Sequence, residues 1–583
     1  MALTSLCPRP QWVSVLDGGT EPPMPAVQGY RIEIRSGCEP EVTAGDAAGA
    51  FYAVQTLRQL HALHPDGLPD LVVVDGPAIA VRGVMLDVSR DRVPTVETLE
   101  LMIDRLAGLR MNLVQLYLEH TFTHPGHEEV WRDASPYTPD DIARLREFCA
   151  ERHVELVGQQ NSLGHMERWL AHPRYAPLAA LPGGYRNDAG VHEPAACLDP
   201  DRPGSIELAE ELVSNVAAAF DSRWVHVGLD EPIDLSPGVW DAFFDVPGAE
   251  APWAGVDNGA FCVPLPPERR AQYMQWVHRL RALPALQGRE MLMWADVMAP
   301  HPELLHDLPP GVTLVEWGYT ADHPFEARCG RIASAGVPFW VAPGTCTWSS
   351  LGGRVAEMTA NVAGAVRVAV EMGATGLLVC DWGNEGHFHH HPFSWPGFVQ
   401  AAALSWNPGS APDLVDCIHH HIAGDRVLAE ATVRLGRVDE LIGPSIPETG
   451  TLASMLASPE SATTLAGRGM TPQMLDAAER ELESIIGSMD VVGSSVPDAR
   501  VWADEVRVTA GWLRLAVWVA RSTLGWSGAV EPARLVGEFG RLLGEHGRMW
   551  LARNRPGGLD DSLRRLSGAS TLSEEDHDGV DHD

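Results

Sequence analysis

The chain has 583 residues, 45% of them hydrophobic and 21% charged, with 78 acidic against 43 basic side chains and a formal net charge of -35. That length exceeds one ordinary domain of roughly 100–200 residues, and the balance is that of a globular protein with a large core. The charge disfavours nucleic acid or an anionic membrane surface as partner, and the absence of any run of about 18 apolar residues predicts no membrane span.

Nine cysteines are scattered without CxxC spacing, which predicts reduced thiols, not a disulfide framework. The first residues, MALTSLCPRPQW, lack a basic segment followed by an apolar run. No signal peptide is therefore expected, and the predicted location is cytoplasmic.

Residues 1–78 read as a small α/β unit. Residues 30–34 (YRIEI) alternate like a half-buried strand, 47–61 place apolar residues at helical spacing, and 71–74 (LVVV) are a second strand closed by the turn Asp75-Gly76-Pro77. From residue 79 to 407 the pattern becomes strand, then helix, repeatedly. Strands are predicted at 84–88, 112–118, 154–157, 224–228, 291–294, 312–316, 338–342 and 376–381. Helices are predicted at 95–109, 139–152, 205–220, 268–283, 327–335, 354–372 and 395–404. Eight strands alternating with helices predict a closed (β/α)8 TIM barrel. A doubly wound open sheet is the alternative, but no glycine-rich phosphate loop follows any strand. Residues 408–567 read as a helical domain (413–421, 427–442, 472–489, 498–524, 532–553). It packs on the barrel or on a second subunit, the latter giving a homodimer. The segment 568–583 is acidic, free of aromatics and expected to be disordered.

In a barrel of this type, residues at the C-terminal ends of the strands share one mouth, where active sites sit. The stretch 224–232 (WVHVGLDEP) ends its strand in two adjacent carboxylates, Asp230 and Glu231. Around them the strand ends bring Arg90, Glu119 and His120, the segment 161–167 with His165, and Trp294 with Asp296. They also bring Glu316, Trp317 and Tyr319, then Trp348, and finally Asp381, Trp382, Asn384 and Glu385. A mouth combining an arginine, several carboxylates and four tryptophans is an unusual density of chemistry and aromatic surface, which marks it as the candidate active site.

The runs RGVMLDVSR (82–90) and HVGLDEP (226–232), the upstream AAGAFYAVQTLRQL (47–60), and NSLGHMERWL, PGTCTW and DWGNEGH resemble glycoside hydrolase family 20, the β-N-acetylhexosaminidases. The resemblance spans roughly residues 28–407. It implies an exo-acting retaining enzyme that removes terminal β-linked GlcNAc or GalNAc by substrate-assisted catalysis, an exception to the two-carboxylate scheme. Glu231 would then protonate the glycosidic oxygen. Asp230 would hold the 2-acetamido N–H, so that the acetamido oxygen attacks C1 through an oxazolinium-like intermediate. Arg90 would fork onto sugar hydroxyls, and Trp294, Trp317 and Trp382 would box the acetamido methyl. His165 would stand beside the acid, oriented by Glu119. No cofactor is implied.

The chain departs from the family pattern in three places. Glu119-His120-Thr121-Phe122 stands where the family has Asp-Asp-Gln-Gly-Trp. Trp348 and Ser350 stand where it has a tyrosine and a sugar-binding aspartate, which leaves Tyr319 to supply the hydroxyl. Asn384, followed by Glu385, stands where it has a glutamate. The choice between glucosamine and galactosamine sugars, and any 6-substituent, therefore stays open. Two other functions compete: a metal-dependent barrel isomerase or lyase, and a non-catalytic sugar-binding barrel. The histidine runs 387–391 (HFHHH) and 419–421 are read without a metal, because adjacent loop histidines poorly share one tetrahedral ion; His387 is placed at the sugar pocket.

Overall fold

The computed structural model describes residues 6–14, 21–186, 192–236, 261–384, 386–493 and 496–568. Four antiparallel strands open the chain: β1 (Trp12–Ser14), β2 (Tyr30–Ile34), β3 (Glu41–Ala44) and β4 (Leu71–Asp75), in the order β1-β4-β2-β3. Helix α1 (Ala47–Leu63) starts where the Asp46 carboxylate accepts the Gly49 N–H at 2.7 Å, and it buries Tyr52, Ala53 and Leu60 against Tyr30 and Ile32. Strands β1 and β3 escaped the sequence reading: β1 has three residues, and β3 (EVTA) buries no side chain that would mark a period.

The barrel follows. Its strands are β5 (Val81–Asp87), β6 (Leu113–Leu118), β7 (Glu155–Gln160), β8 (Trp224–His226), β9 (Glu290–Trp294), β10 (Val312–Trp317), β11 (Phe339–Ala342) and β12 (Gly376–Asp381). All neighbours are parallel, and β12 closes the ring on β5 from Gly376↔Val81 to Asp381↔Leu86. That closure rules out the doubly wound sheet. It also starts the first strand at Val81 rather than at residue 84. The helices between are α2 (Val96–Gly108), α3 (Pro139–Ala150), α4 (Ser205–Phe220), α5 (Pro267–Arg281), α6 (Phe325–Ser334), α7 (Val355–Met372) and α8 (Trp395–Trp406). Sequence chemistry sets their ends. Thr138 and Asp141 form a capping box ahead of α3, and Gly373 (φ 73°) stops α7 in the left-handed region.

Arg82 joins the first two units. Its guanidinium is buried between the rings of Tyr52 and Trp406 (5.5 and 5.0 Å) and donates to the carbonyls of Ile79, Ala80 and Arg110. The C-terminal region is helical: α9 (Leu414–Ile418), α10 (Arg426–Leu435), α11 (Thr451–Ala457), α12 (Ser461–Gly467), α13 (Pro472–Ser488), α14 (Ala499–Leu524), α15 (Pro532–Arg553) and α16 (Leu559–Gly568). After α9 the chain makes one π-helical turn, His419–Ala423. Helices α11 and α12, seven residues each, are too short to show a period. Asp498 sits between two arginines, taking Arg105 of α2 at 3.0 and 2.5 Å and Arg553 of α15 at 2.8 Å, while Glu505 grips Arg553 at 2.8 and 2.9 Å. This buried network fastens the helical region to the barrel. The acidic segment expected to be disordered lies, from residue 569 on, outside the described residues. Among the described residues no helix is long and apolar enough to cross a membrane.

Candidate active site

The turn after β8 is held in an unusual backbone. The strand ends at His226, earlier than the sequence pattern suggests, because Gly228 (φ 72°), Leu229 (φ 72°) and Glu231 (φ 46°) all take left-handed conformations. Hydrogen bonds hold each step. Ser162 Oγ donates to the Val227 carbonyl at 2.7 Å, the Trp294 amide to Gly228 at 3.1 Å, and Tyr273 Oη to Leu229 at 3.0 Å. The Glu231 amide donates to Asp296 Oδ2 at 3.0 Å. Gly164 packs so closely that a Cβ there would stand 2.5 Å from the Asp230 carbonyl oxygen. The result aims two consecutive carboxylates into the barrel mouth.

His165 lies between them. Its Nε2 is 3.2 Å from Asp230 Oδ2 and 3.3 Å from Glu231 Oε2. Burial alone would lower the His165 pKa, but Asp230 and Glu231 outweigh it and hold the ring protonated well above the usual histidine range. Burial likewise opposes the charge on Asp230, yet His165 and Arg90 keep its carboxyl below the usual range. Asp230 Oδ1 is buried with no hydrogen-bond partner. An ionised oxygen so placed is an acceptor waiting for a donor.

Arg90, at the end of β5, reaches Asp87 at 3.5 Å and His165 Nδ1 at 3.3 Å, with its guanidinium over the rings of Tyr117 and Trp382 (5.0 and 4.9 Å). Glu119 does not orient His165 by hydrogen bond as expected. It accepts from Tyr117 Oη at 2.8 Å and lies 3.6 Å from Arg90, which takes the Nδ1 side of His165 instead. The aromatic wall is continuous. Trp317 stacks on Tyr319 (5.2 Å, 21°), Trp348 meets Tyr319 edge-on (4.9 Å, 81°), and Trp294 leans on Trp382 (6.1 Å, 46°). Trp382 Nε1 donates to Tyr319 Oη at 2.7 Å, which joins the two halves of this wall.

One cavity of about 870 Å³ is lined by Arg90, Glu119, His165, Asp230, Glu231, Trp294, Trp317, Tyr319, Trp348, Trp382 and Asn384, while His120 and Asp296 lie behind its wall and Glu385 lies outside the described residues. Other strand-end groups serve structure. Glu316 is taken by His323 and Arg328, Asp381 by Thr345, Thr347 and Ser394, and His387 is buried against Gly383 rather than in the cavity. The cavity also has walls the sequence did not disclose: Tyr185 and Glu193 from a short ribbon, Phe261, and Glu448 and Arg565 from the helical region. No motif marks the last two, since they belong to elements outside the barrel repeat. Among the described residues no group of three or more His, Cys, Asp or Glu is disposed to hold a metal ion.

Residues 80–348 match the model of glycosyl hydrolase family 20, catalytic domain. A β-hexosaminidase of Akkermansia muciniphila is 27% identical over 217 residues, which cover 33% of this chain and 43% of that protein. A β-N-acetylhexosaminidase of Cellulomonas fimi is 24% identical over 391 residues, 57% of this chain and 77% of that one. In fold, the chain is similar to an exo-β-N-acetylglucosaminidase of Vibrio harveyi solved with N-acetylglucosamine. The TM-score is 0.52 at 16% identity, over 74% of this chain and 78% of the other.

Proposed function

We propose that this chain, whose residues 80–348 belong to glycosyl hydrolase family 20, is an exo-acting retaining β-N-acetylhexosaminidase that removes a terminal β-linked GlcNAc or GalNAc. The observation that carries the reading is the division of labour between adjacent carboxylates: a buried Asp230 with one oxygen unpartnered, and Glu231 half-exposed to the cavity. The free Asp230 oxygen accepts the acetamido N–H of the substrate. The acetamido methyl fits among Trp294, Trp317 and Trp382, and Tyr319 Oη donates to the acetamido oxygen as charge leaves it. That oxygen attacks C1 while Glu231 gives its proton to the glycosidic oxygen; Glu231 then takes a proton from the water that opens the oxazolinium ring. Substrate, not protein, supplies the nucleophile, so the second carboxylate orients and does not bond.

His165, protonated between the two carboxylates, lets Asp230 remain an anion inside a buried wall. Arg90 fixes the sugar ring through its hydroxyls. The test is hydrolysis of nitrophenyl β-GlcNAc and β-GalNAc, with the product anomer read by NMR. Retention of configuration and inhibition by a thiazoline that mimics the oxazoline are expected. Glu231→Gln should lose roughly 10²–10⁴-fold in kcat on an unactivated glycoside; full activity of that variant would refute the role.

A further inference from the structure

Asp296 follows β9 by two residues and is 1% exposed. Burying a carboxyl is costly unless its oxygens are satisfied. Burial and the neighbouring charges of Asp230 and Glu231 push its pKa up to about 8. Its two oxygens are engaged by groups of the site itself: Oδ2 accepts the Glu231 amide at 3.0 Å, and Oδ1 accepts the Trp317 indole N–H at 3.4 Å. One carboxyl thus ties the backbone of the acid to a wall of the aromatic box. Glu231 needs such a tie, because its φ of 46° is a left-handed conformation that a residue with a Cβ adopts only at a cost.

We propose that Asp296 is a positioning residue: through the Glu231 amide it fixes the aim of the Glu231 carboxyl at the leaving-group oxygen. The inference rests on the glycosidase reading above. Asp296 does not line the cavity, so it acts on proton transfer through Glu231 alone. Its loss tilts the acid away from the leaving oxygen but leaves Asp230 and Arg90 in place, and Trp317, whose bond to Asp296 is long at 3.4 Å, stays stacked on Tyr319. A leaving group that needs no proton is then indifferent to the change.

The experiment compares kcat/KM, which reports the steps up to bond cleavage, on 2,4-dinitrophenyl β-GlcNAc and on diacetylchitobiose. The proteins are wild type, Asp296→Ala and Asp296→Asn. Asp296→Ala is expected to lose roughly 10–100-fold on the disaccharide and to stay within about threefold on the dinitrophenyl glycoside. Asp296→Asn, which keeps an oxygen to accept the Glu231 amide, is expected to restore most of the disaccharide rate. Equal losses on both substrates, or an Asn variant as damaged as Ala, overturn the inference while leaving the glycosidase reading intact. A wild type inert towards both substrates overturns that reading, and the inference with it. If Asp296→Ala does not fold, Asp296→Leu, which branches at Cγ as aspartate does and has no acceptors, replaces it under the same criteria.

Discussion

Tyr319→Phe removes one oxygen from the aromatic wall and separates two consequences. In the ground state, the Trp382 indole N–H loses its acceptor at 2.7 Å. An unsatisfied buried donor costs about 1–3 kcal/mol of stability, which the melting curve reads directly. In the proposed mechanism the hydroxyl holds the acetamido oxygen in line with C1. Losing such alignment costs about 10²-fold in kcat, or roughly 2.7 kcal/mol, and the ring that remains still packs against Trp317 and Trp348. The assay is kcat and KM on nitrophenyl β-GlcNAc, with thiazoline affinity measured alongside. The expected result is a fall in kcat near a hundredfold with KM changed little. A Tyr319→Phe enzyme that melts as a folded protein and keeps kcat within about threefold would show that the hydroxyl at this position does not serve the acetamido group. Trp348→Phe is the control, since Trp348 touches Tyr319 only by its ring edge.

Two further outcomes follow from buried charge. Asp498→Ala leaves Arg105 and Arg553 facing each other without their shared carboxylate, and breaking a buried pair in this way costs about 3–5 kcal/mol; an unchanged melting temperature would contradict that arrangement. His165 ties stability to pH. Its folded pKa is raised, so its contribution is full below the unfolded value of about 6.5 and is lost as pH rises through the folded one. The depressed Asp230 adds the opposite limb, present above about pH 3.9 and lost as pH falls. Melting against pH should therefore weaken at both ends, and His165→Asn should flatten the alkaline limb; an unaltered alkaline limb in that variant would refute the charge placed on His165.

The barrel was legible because each strand is a short apolar run followed by an amphipathic helix, a period that survives tertiary packing. The acid pair was legible because Asp-Glu-Pro follows a short apolar run closely enough to stand at the barrel mouth. Other parts carry no local signal. Strand β3 buries no side chain that would mark it. Glu448 and Arg565 reach the cavity from segments whose sequence distance from the barrel is bridged only by the folded helical region. The expected partnership of Glu119 with His165 failed for a similar reason. Strand order placed them at neighbouring rim positions, but side-chain length decided the contact, and Arg90 is long enough to come between.

Backbone conformation explains why the rim resists reading from sequence. His165 (φ 55°), Leu229 (φ 72°), Glu231 (φ 46°) and Asn384 (φ 46°) all occupy the left-handed region. A residue type alone predicts such a conformation well only for glycine. Each of these side chains is strained by its backbone and persists because neighbours over-determine it. For the acid turn those neighbours come from three different strand ends and one helix: Ser162 and Gly164 after β7, Trp294 and Asp296 at β9, Trp317 at β10 through Asp296, and Tyr273 on α5. A strained turn clamped from several strands is rigid only when the ring is closed. The closed barrel is therefore part of the chemistry, because it lets a carboxyl as flexible as that of Glu231 keep one direction.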